Sequence, residues 1–292
     1  MGQHVRSGDL EIWTEQVGQG PDVLLIGGLG DTVESWQFQL DGLADRYRLT
    51  AFDNRGAGRT AMPEGGAAVA AMADDAAEVL RALGVRSAHV AGFSGGSLIS
   101  QELALRHPDR VRSLVLQSTW AVMDSYLRSW LRFVEWLVDA APDERTFLES
   151  FFLDIYTARA HNDGTVAAFI DAVLAFPYKQ SAEDVHRFLA DIWNHDTTER
   201  LPGITAPTLV LAGGKDPTAR PELGRAVAEA IPGALFEVME EEAHQPFQEI
   251  PDRWNARVDA FWQDVEARAR SAPRPRDVPD RERTAPSAGS TS

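Results

Sequence analysis

Cysteine is absent from the 292 residues, which excludes disulfides, thiolate catalysis and Cys-ligated metals. Lysine is nearly absent, occurring only at Lys179 and Lys215. Positive charge as a whole is short: 28 Lys and Arg stand against 44 Asp and Glu, for a formal net charge of −16. So acidic a chain repels phosphate backbones and anionic lipid, and neither nucleic acid nor a membrane is an expected partner. No stretch approaches the ~20 continuous apolar residues of a membrane span. Residues 1–19 carry no apolar segment of a secretory signal, and a cytoplasmic location is the expectation. No internal repeat is present. His161, His186 and His195 lack metal-ligand spacing, and neither a metal nor a cofactor is expected.

Hydrophobic residues make up 44% of the chain, enough for one large domain or a domain with an insertion. Leu10 to Val17 alternates as a first strand, and Val23 to Ile26 is a short buried-type strand between Pro21 and Gly27. Trp36 to Asp45 reads as a helix and Tyr47 to Phe52 as a strand. Val69, Met72, Ala73, Ala76, Leu80 and Leu83 share one helical face. A strand at 88–93, a helix at 98–107 and a strand at 111–116 follow. This alternation predicts an α/β fold with a mostly parallel central sheet and helices on both faces.

The alternation stops at about Trp120. Residues 120–200 have helical spacing throughout and many large rings, and they read as an all-helical cap inserted into a core of 1–119 and 201–270. Some of those rings are expected to line a pocket beneath. Strand and helix resume at Thr208–Ala212, Pro221–Ile231 and Ala234–Met239. A final helix carries Trp254, Val258, Phe261 and Val265 on one face. Residues 271–292 are Pro, Ser, Arg and Asp with little to bury, and disorder is expected there.

The chemistry centres on Gly92-Phe93-Ser94-Gly95-Gly96. Gly-x-Ser-x-Gly between a strand and a helix describes a nucleophile elbow, with the serine on a sharp, exposed bend. A Cβ at Gly92 or Gly96 would crowd the backbone passing beside it. Ser94 needs a base, and the base needs an orienting carboxylate. Asp216 and His244 stand in loops directly after predicted strands, on the same carboxyl edge as the elbow. Their order, Ser then Asp then His, is the one this elbow type uses. Asp124, soon after the strand at 111–116, is the alternative acid. His89 lies inside a strand as a core residue, and His107 sits at a helix end, where a cation suits the dipole.

With these residues in place the chain resembles the α/β-hydrolases over roughly residues 10–268, and among them the capped haloperoxidase, enol-lactonase and proline iminopeptidase group. Gly27-Gly28-Leu29-Gly30 is similar to that family's oxyanion loop. Asp53-Asn54-Arg55-Gly56-Ala57-Gly58-Arg59-Thr60 is similar to its Asp-x-Arg-Gly-x-Gly-x-Ser segment, and Gly213 to Asp216 and Ala243-His244 resemble its acid and histidine loops. The resemblance implies Ser94 as nucleophile, His244 as base, Asp216 as its orienting acid, and the N–H groups of Leu29 and Gly95 as the oxyanion hole. Trp36 and Trp120 are the expected pocket walls.

Three positions depart from the family pattern: Gly27 where His is usual, Gly95 where a larger side chain is common, and Ala243 where Gly is usual. Gly95 is expected to leave room beside the oxyanion hole, and Gly27 to lack a side chain that helps order its loop. The insertion has twice as many acidic as basic residues, which disfavours a polyanionic substrate. The expected activity is cleavage of a small, fairly apolar ester or lactone through an acyl-enzyme on Ser94. The same triad also serves C–C bond hydrolysis, perhydrolysis or a biosynthetic cyclisation. A small-molecule receptor on a hydrolase scaffold is the reading from another class, and an apolar cap surface allows a homodimer.

Overall fold

The computed structural model describes residues 2–271. Eight strands among them form one sheet: β1 (Gly2–Ser7), β2 (Leu10–Gly18), β3 (Asp22–Ile26), β4 (Arg48–Phe52), β5 (Ala88–Phe93), β6 (Val111–Gln117), β7 (Thr208–Gly213) and β8 (Leu235–Met239). Their order is β1-β2-β4-β3-β5-β6-β7-β8. β2 pairs antiparallel with both β1 and β4, and every pairing from β4 to β8 is parallel. β1 precedes the expected first strand. Only Val5 of its six residues is buried, so it offers no apolar alternation to read.

The parallel strands sort their side chains by period two. Leu24, Ile26, Ala88, Val90 and Val210 enter one core. Helices α2 (Val69–Ala82), α3 (Gly95–Arg106) and α9 (Pro221–Ala230) pack into that core. Val23, Leu25, Ala91, Phe93, Leu209 and Leu211 enter the other, with α1 (Gln37–Leu43) and α11 (Pro251–Ser271). The sheet is therefore covered on both faces, as parallel sheets require. A one-turn helix, α10 (Pro246–Glu249), leads into α11. The segment 271–292 lies outside the described residues except for Ser271, the last residue of α11.

Five helices fall between β6 and β7: α4 (Ser125–Ala140), α5 (Glu144–Ile155), α6 (Ala158–Asn162), α7 (Thr165–Ala175) and α8 (Ala182–Ile192). Asp124, Asp143, Thr157 and Ser181 each accept a backbone N–H at a helix start, which fixes where four of them begin. Leu127, Leu131 and Val134 of α4 and Val185, Phe188 and Leu189 of α8 join the first core. Helices α5 to α7 hold a small core of their own around Phe152, Tyr156 and Ile170. No helix among the described residues is long and apolar enough to cross a membrane.

Candidate active site

The site is assembled where β5, β6, β7 and β8 end. Ser94 follows β5 with a φ of 51°. L-residues seldom adopt that conformation, and it is typical of a strained functional turn. The Ser94 carbonyl accepts from the Ser97 N–H at 2.9 Å and the Ser97 hydroxyl at 2.6 Å, which lock the turn into α3. The bend closes only because nothing projects from Gly96. A Cβ there would stand 2.1 Å from the Ile26 carbonyl oxygen. Helix α3 starts at Gly95, so its first N–H groups and positive dipole end point to the space above Ser94.

Asp216 follows β7, and His244 lies in the loop after β8. Asp216 Oδ2 accepts from His244 Nδ1 at 2.6 Å. Oδ1 accepts from Thr218 N–H, Thr218 Oγ1 and Ala219 N–H at 2.8, 2.8 and 3.0 Å. Burial works against the Asp216 charge, but the His244 charge and the hydrogen bonds from His244 and Thr218 outweigh it and hold the carboxyl below its ordinary range. A carboxylate at Nδ1 fixes the proton on that nitrogen and leaves Nε2 with its lone pair. Asp124 is not this acid: it caps α4 and pairs with Arg220.

The backbone of His244 is gripped from two sides. Its carbonyl accepts from Ser118 Oγ at 2.8 Å, and its N–H donates to the Ile155 carbonyl at the end of α5, at 3.2 Å. Ser118, just after β6, is the other non-glycine with positive φ among the described residues, 53°. Nothing in its local sequence marks it.

The loop after β3 lies against the elbow. A Cβ on Gly28 would be 3.0 Å from Ser94 Cβ and 3.3 Å from the Gly95 nitrogen. The Gly28 N–H is already taken by Asp31 Oδ2 at 2.8 Å. The next N–H, that of Leu29, has no protein partner among the described residues. Leu29 and Gly95 line the same cavity as Ser94 and His244.

The sequence model of the alpha/beta hydrolase fold matches residues 21–249. The chain belongs to the alpha/beta hydrolase fold family. It is 32% identical over 267 residues to the "Putative carbamate hydrolase RutD" of Azorhizobium caulinodans, covering 90% of this chain and 99% of that one. Among solved structures, a thermophilic esterase from Thermogutta terrifontis superposes with a TM-score of 0.79 at 26% identity, over 91% of this chain and 99% of the other. The enol-lactonase of Burkholderia xenovorans superposes with a TM-score of 0.80 at 24% identity, over 89% and 100%. The protein is thus a hydrolase of this fold.

Against that family background two of the three departures have structural answers. The space expected to be open at Gly95 is filled: a Cβ there would meet Phe188 Cζ, from α8, at 2.8 Å. The side chain missing at Gly27 has Asp31 in its place: a Cβ at residue 27 would lie 2.5 Å from Asp31 Cβ. The same Asp31 anchors the loop through Gly28. Burial raises the Asp31 carboxyl above its ordinary range, opposed by the Gly28 and Ser35 hydrogen bonds. Neither partner was visible in the motif. For Ala243 the structure shows burial and nothing that explains the change from Gly.

Two cavities meet at the Leu29 loop. The inner one, about 40 Å³, holds Ser94 and His244 and is walled by Trp120, Leu131, Phe188 and Ile192. Trp120 lines the same cavity as Ser94 and His244. Its indole N–H is buried without a protein partner among the described residues. The outer cavity, about 670 Å³, lies between the Leu29 loop and helices α5, α7 and α8.

Trp36 corrects the expectation. Only 1% exposed, it packs on Phe247 at 4.5 Å and Trp254 at 6.1 Å and lines neither cavity. Asp53 and Arg55 are structural. Asp53 accepts the N–H groups of Val33 and Arg59, and Arg55 pairs with Asp75. His89 stacks on Trp262 at 5.7 Å, and burial, then the Arg112 charge, holds its pKa down at about 4. His195 is buried, with its pKa also lowered to about 4, chiefly by burial, and lines neither cavity.

Proposed function

We propose that this hydrolase cleaves a carboxylic ester or lactone through an acyl-enzyme on Ser94. The observation that carries the reading is the 2.6 Å Asp216–His244 Nδ1 bond in the loops that close on the strained Ser94 turn. Ser94 Oγ attacks the acyl carbon while His244 Nε2 takes its proton. Asp216 holds the ring in that tautomer and stabilises the imidazolium. The developing oxyanion is received by the N–H groups of Leu29 and Gly95 at the positive end of α3. The proton on Nε2 then passes to the leaving oxygen. Water, activated by the freed Nε2, attacks the acyl carbon and releases the acid. The helices between β6 and β7 act as the cap that keeps bulk water from this step.

The relatives named as carbamate hydrolases favour a second reading, in which the acyl group is a carbamoyl group. The steps are the same, with a carbamoyl-serine as the intermediate. The test is p-nitrophenol release from p-nitrophenyl acetate and p-nitrophenyl carbamate by the wild type and Ser94→Ala. Loss of roughly 10⁴-fold or more in the variant, with the preferred acyl donor naming the reading, is expected. Equal rates in the two proteins would overturn both.

A further inference from the structure

The two cavities impose different limits on the two halves of a substrate. The inner one takes about 40 Å³, room for roughly three water-sized groups. Phe188 is one of its walls, is 2% exposed and stands where a side chain at residue 95 would project. The acyl carbon must lie here, because the Ser94 hydroxyl and the Gly95 N–H are here. Whatever is attached on the acyl side is therefore limited to a few atoms.

The outer cavity shares Leu29, Phe151, Ile155 and Gln245 with the inner one, so the two lie side by side and a long substrate has the outer one as its nearest space. Rings dominate its walls: Phe38, Phe147, Phe169, Phe176 and Tyr178. Phe38 meets Phe169 edge-on at 6.4 Å, and Phe176 meets Tyr178 at 5.7 Å. Phe38 and Tyr178 are 42% and 49% exposed. Ring surface of this kind gains by covering with another ring. Of the charges in the walls, Asp31 and Asp143 accept the backbone N–H groups of Gly28 and Thr146. Lys179 is held by both Glu144 oxygens at 2.8 Å, and Glu34 is paired with Arg59. Among the described residues, no cation in this wall is left for an anionic ligand.

The leaving group must depart before water can attack, and the outer cavity gives it the space to do so. We infer that this hydrolase acts on esters of a short acyl group, acetyl- or carbamoyl-sized, with a bulky neutral aromatic alcohol, whose ring system occupies the outer cavity. The inference rests on the acyl-enzyme reading above and names its substrate class.

Two kinetic series test it. Phenyl, 1-naphthyl and 9-phenanthryl acetate vary the leaving ring at similar leaving-group acidity. p-Nitrophenyl acetate, butyrate and octanoate vary the acyl chain. The expected result is a rise in kcat/KM of tenfold or more along the first series and a fall of tenfold or more along the second. Phe188→Ala should flatten the acyl series, and Phe169→Ala should flatten the ring series. A flat or falling ring series, or an acyl series that rises with length, overturns the inference.

A binding measurement keeps this distinct from failure of the chemistry. 1-Naphthol fluorescence titrated with Ser94→Ala should saturate, and the Phe169→Ala change added to it should weaken binding at least fivefold. If the wild type hydrolyses no ester while 1-naphthol still binds in this way, the acyl-enzyme reading falls and the ring site stands. If 1-naphthol does not saturate, the ring site falls whatever the rates.

Discussion

Two regions meet at Ser94, and they are built on different tolerances. The sheet edge is fixed backbone against backbone: residue 96 admits no Cβ because a carbonyl oxygen lies 2.1 Å away, and the Gly213 position admits none because the Ala243 carbonyl oxygen lies 1.9 Å away. The helical segment between β6 and β7 is fixed ring against ring, as in Phe147 stacked on Phe151 at 5.6 Å. Rings can repack. The difference teaches that reaction and selectivity are separable here. Changes at the sheet edge should abolish chemistry or folding. Changes in the helices should alter which molecules are accepted.

The largest effect that would sharpen this contrast is Asp216→Asn. It should cost about 10⁴-fold in kcat by favouring the wrong tautomer, with the melting temperature at neutral pH lowered far less than the activity. Because Asp216 titrates below its ordinary value in the fold, its contribution to stability is complete above about pH 4 and is lost as pH falls further. A melting profile against pH should therefore lose part of its acid limb in the variant. An unchanged kcat would remove Asp216 from the site.

Next comes Gly96→Ala. Its Cβ meets backbone, not a movable side chain, so the loss should exceed the ~1–3 kcal/mol usual for overpacking. Circular dichroism and a urea melt would read it, and a normally stable protein would break the contrast at its root. Phe188→Ala in the helices should by comparison remain folded.

Asp31 offers a smaller effect. Asp31→Ala frees the Gly28 N–H and loosens the loop that carries Leu29, and kcat should fall about 10–100-fold, somewhat less than loss of a whole oxyanion donor. KM should change little. Asp31→Asn keeps an accepting oxygen and should recover most of the rate. A rise in KM alone would mean that Asp31 shapes the outer cavity instead.

Smallest of all should be Trp136→Ala on the outer side of α4. That ring is 61% exposed and lines neither cavity. Stability should shift by less than about 0.5 kcal/mol, with both selectivity series unchanged. An altered acyl preference would show that selectivity reaches beyond the cavity walls.

What could be read in the sequence follows the same division. Ser94, Asp216 and His244 could be picked out together because each follows a strand on one edge of the sheet. Phe188 and Asp31 were not: Phe188 reaches Gly95 only through the fold, and Asp31 reaches Gly27 through a turn of its own loop that no periodicity marks. Trp36 misled because ring size says nothing about which way a ring points, and it lies against Phe247 and Trp254. β1 was missed for want of apolar alternation, its neighbour β2 supplying the partner that makes it a strand.

The grip on His244 has a kinetic consequence. Its N–H is held by Ile155 of α5 and its carbonyl by Ser118 of the sheet edge. Tyr156 Oη adds a 2.5 Å bond to Gln248, and Arg159 a 2.7 Å pair to Glu242, on either side of the same loop. Any motion that lifts this end of α5 to admit or discharge a molecule must break these bonds or drag the imidazole with it. On the proposed mechanism, the group that takes the proton and the helix that covers it are thus tied together by a backbone bond.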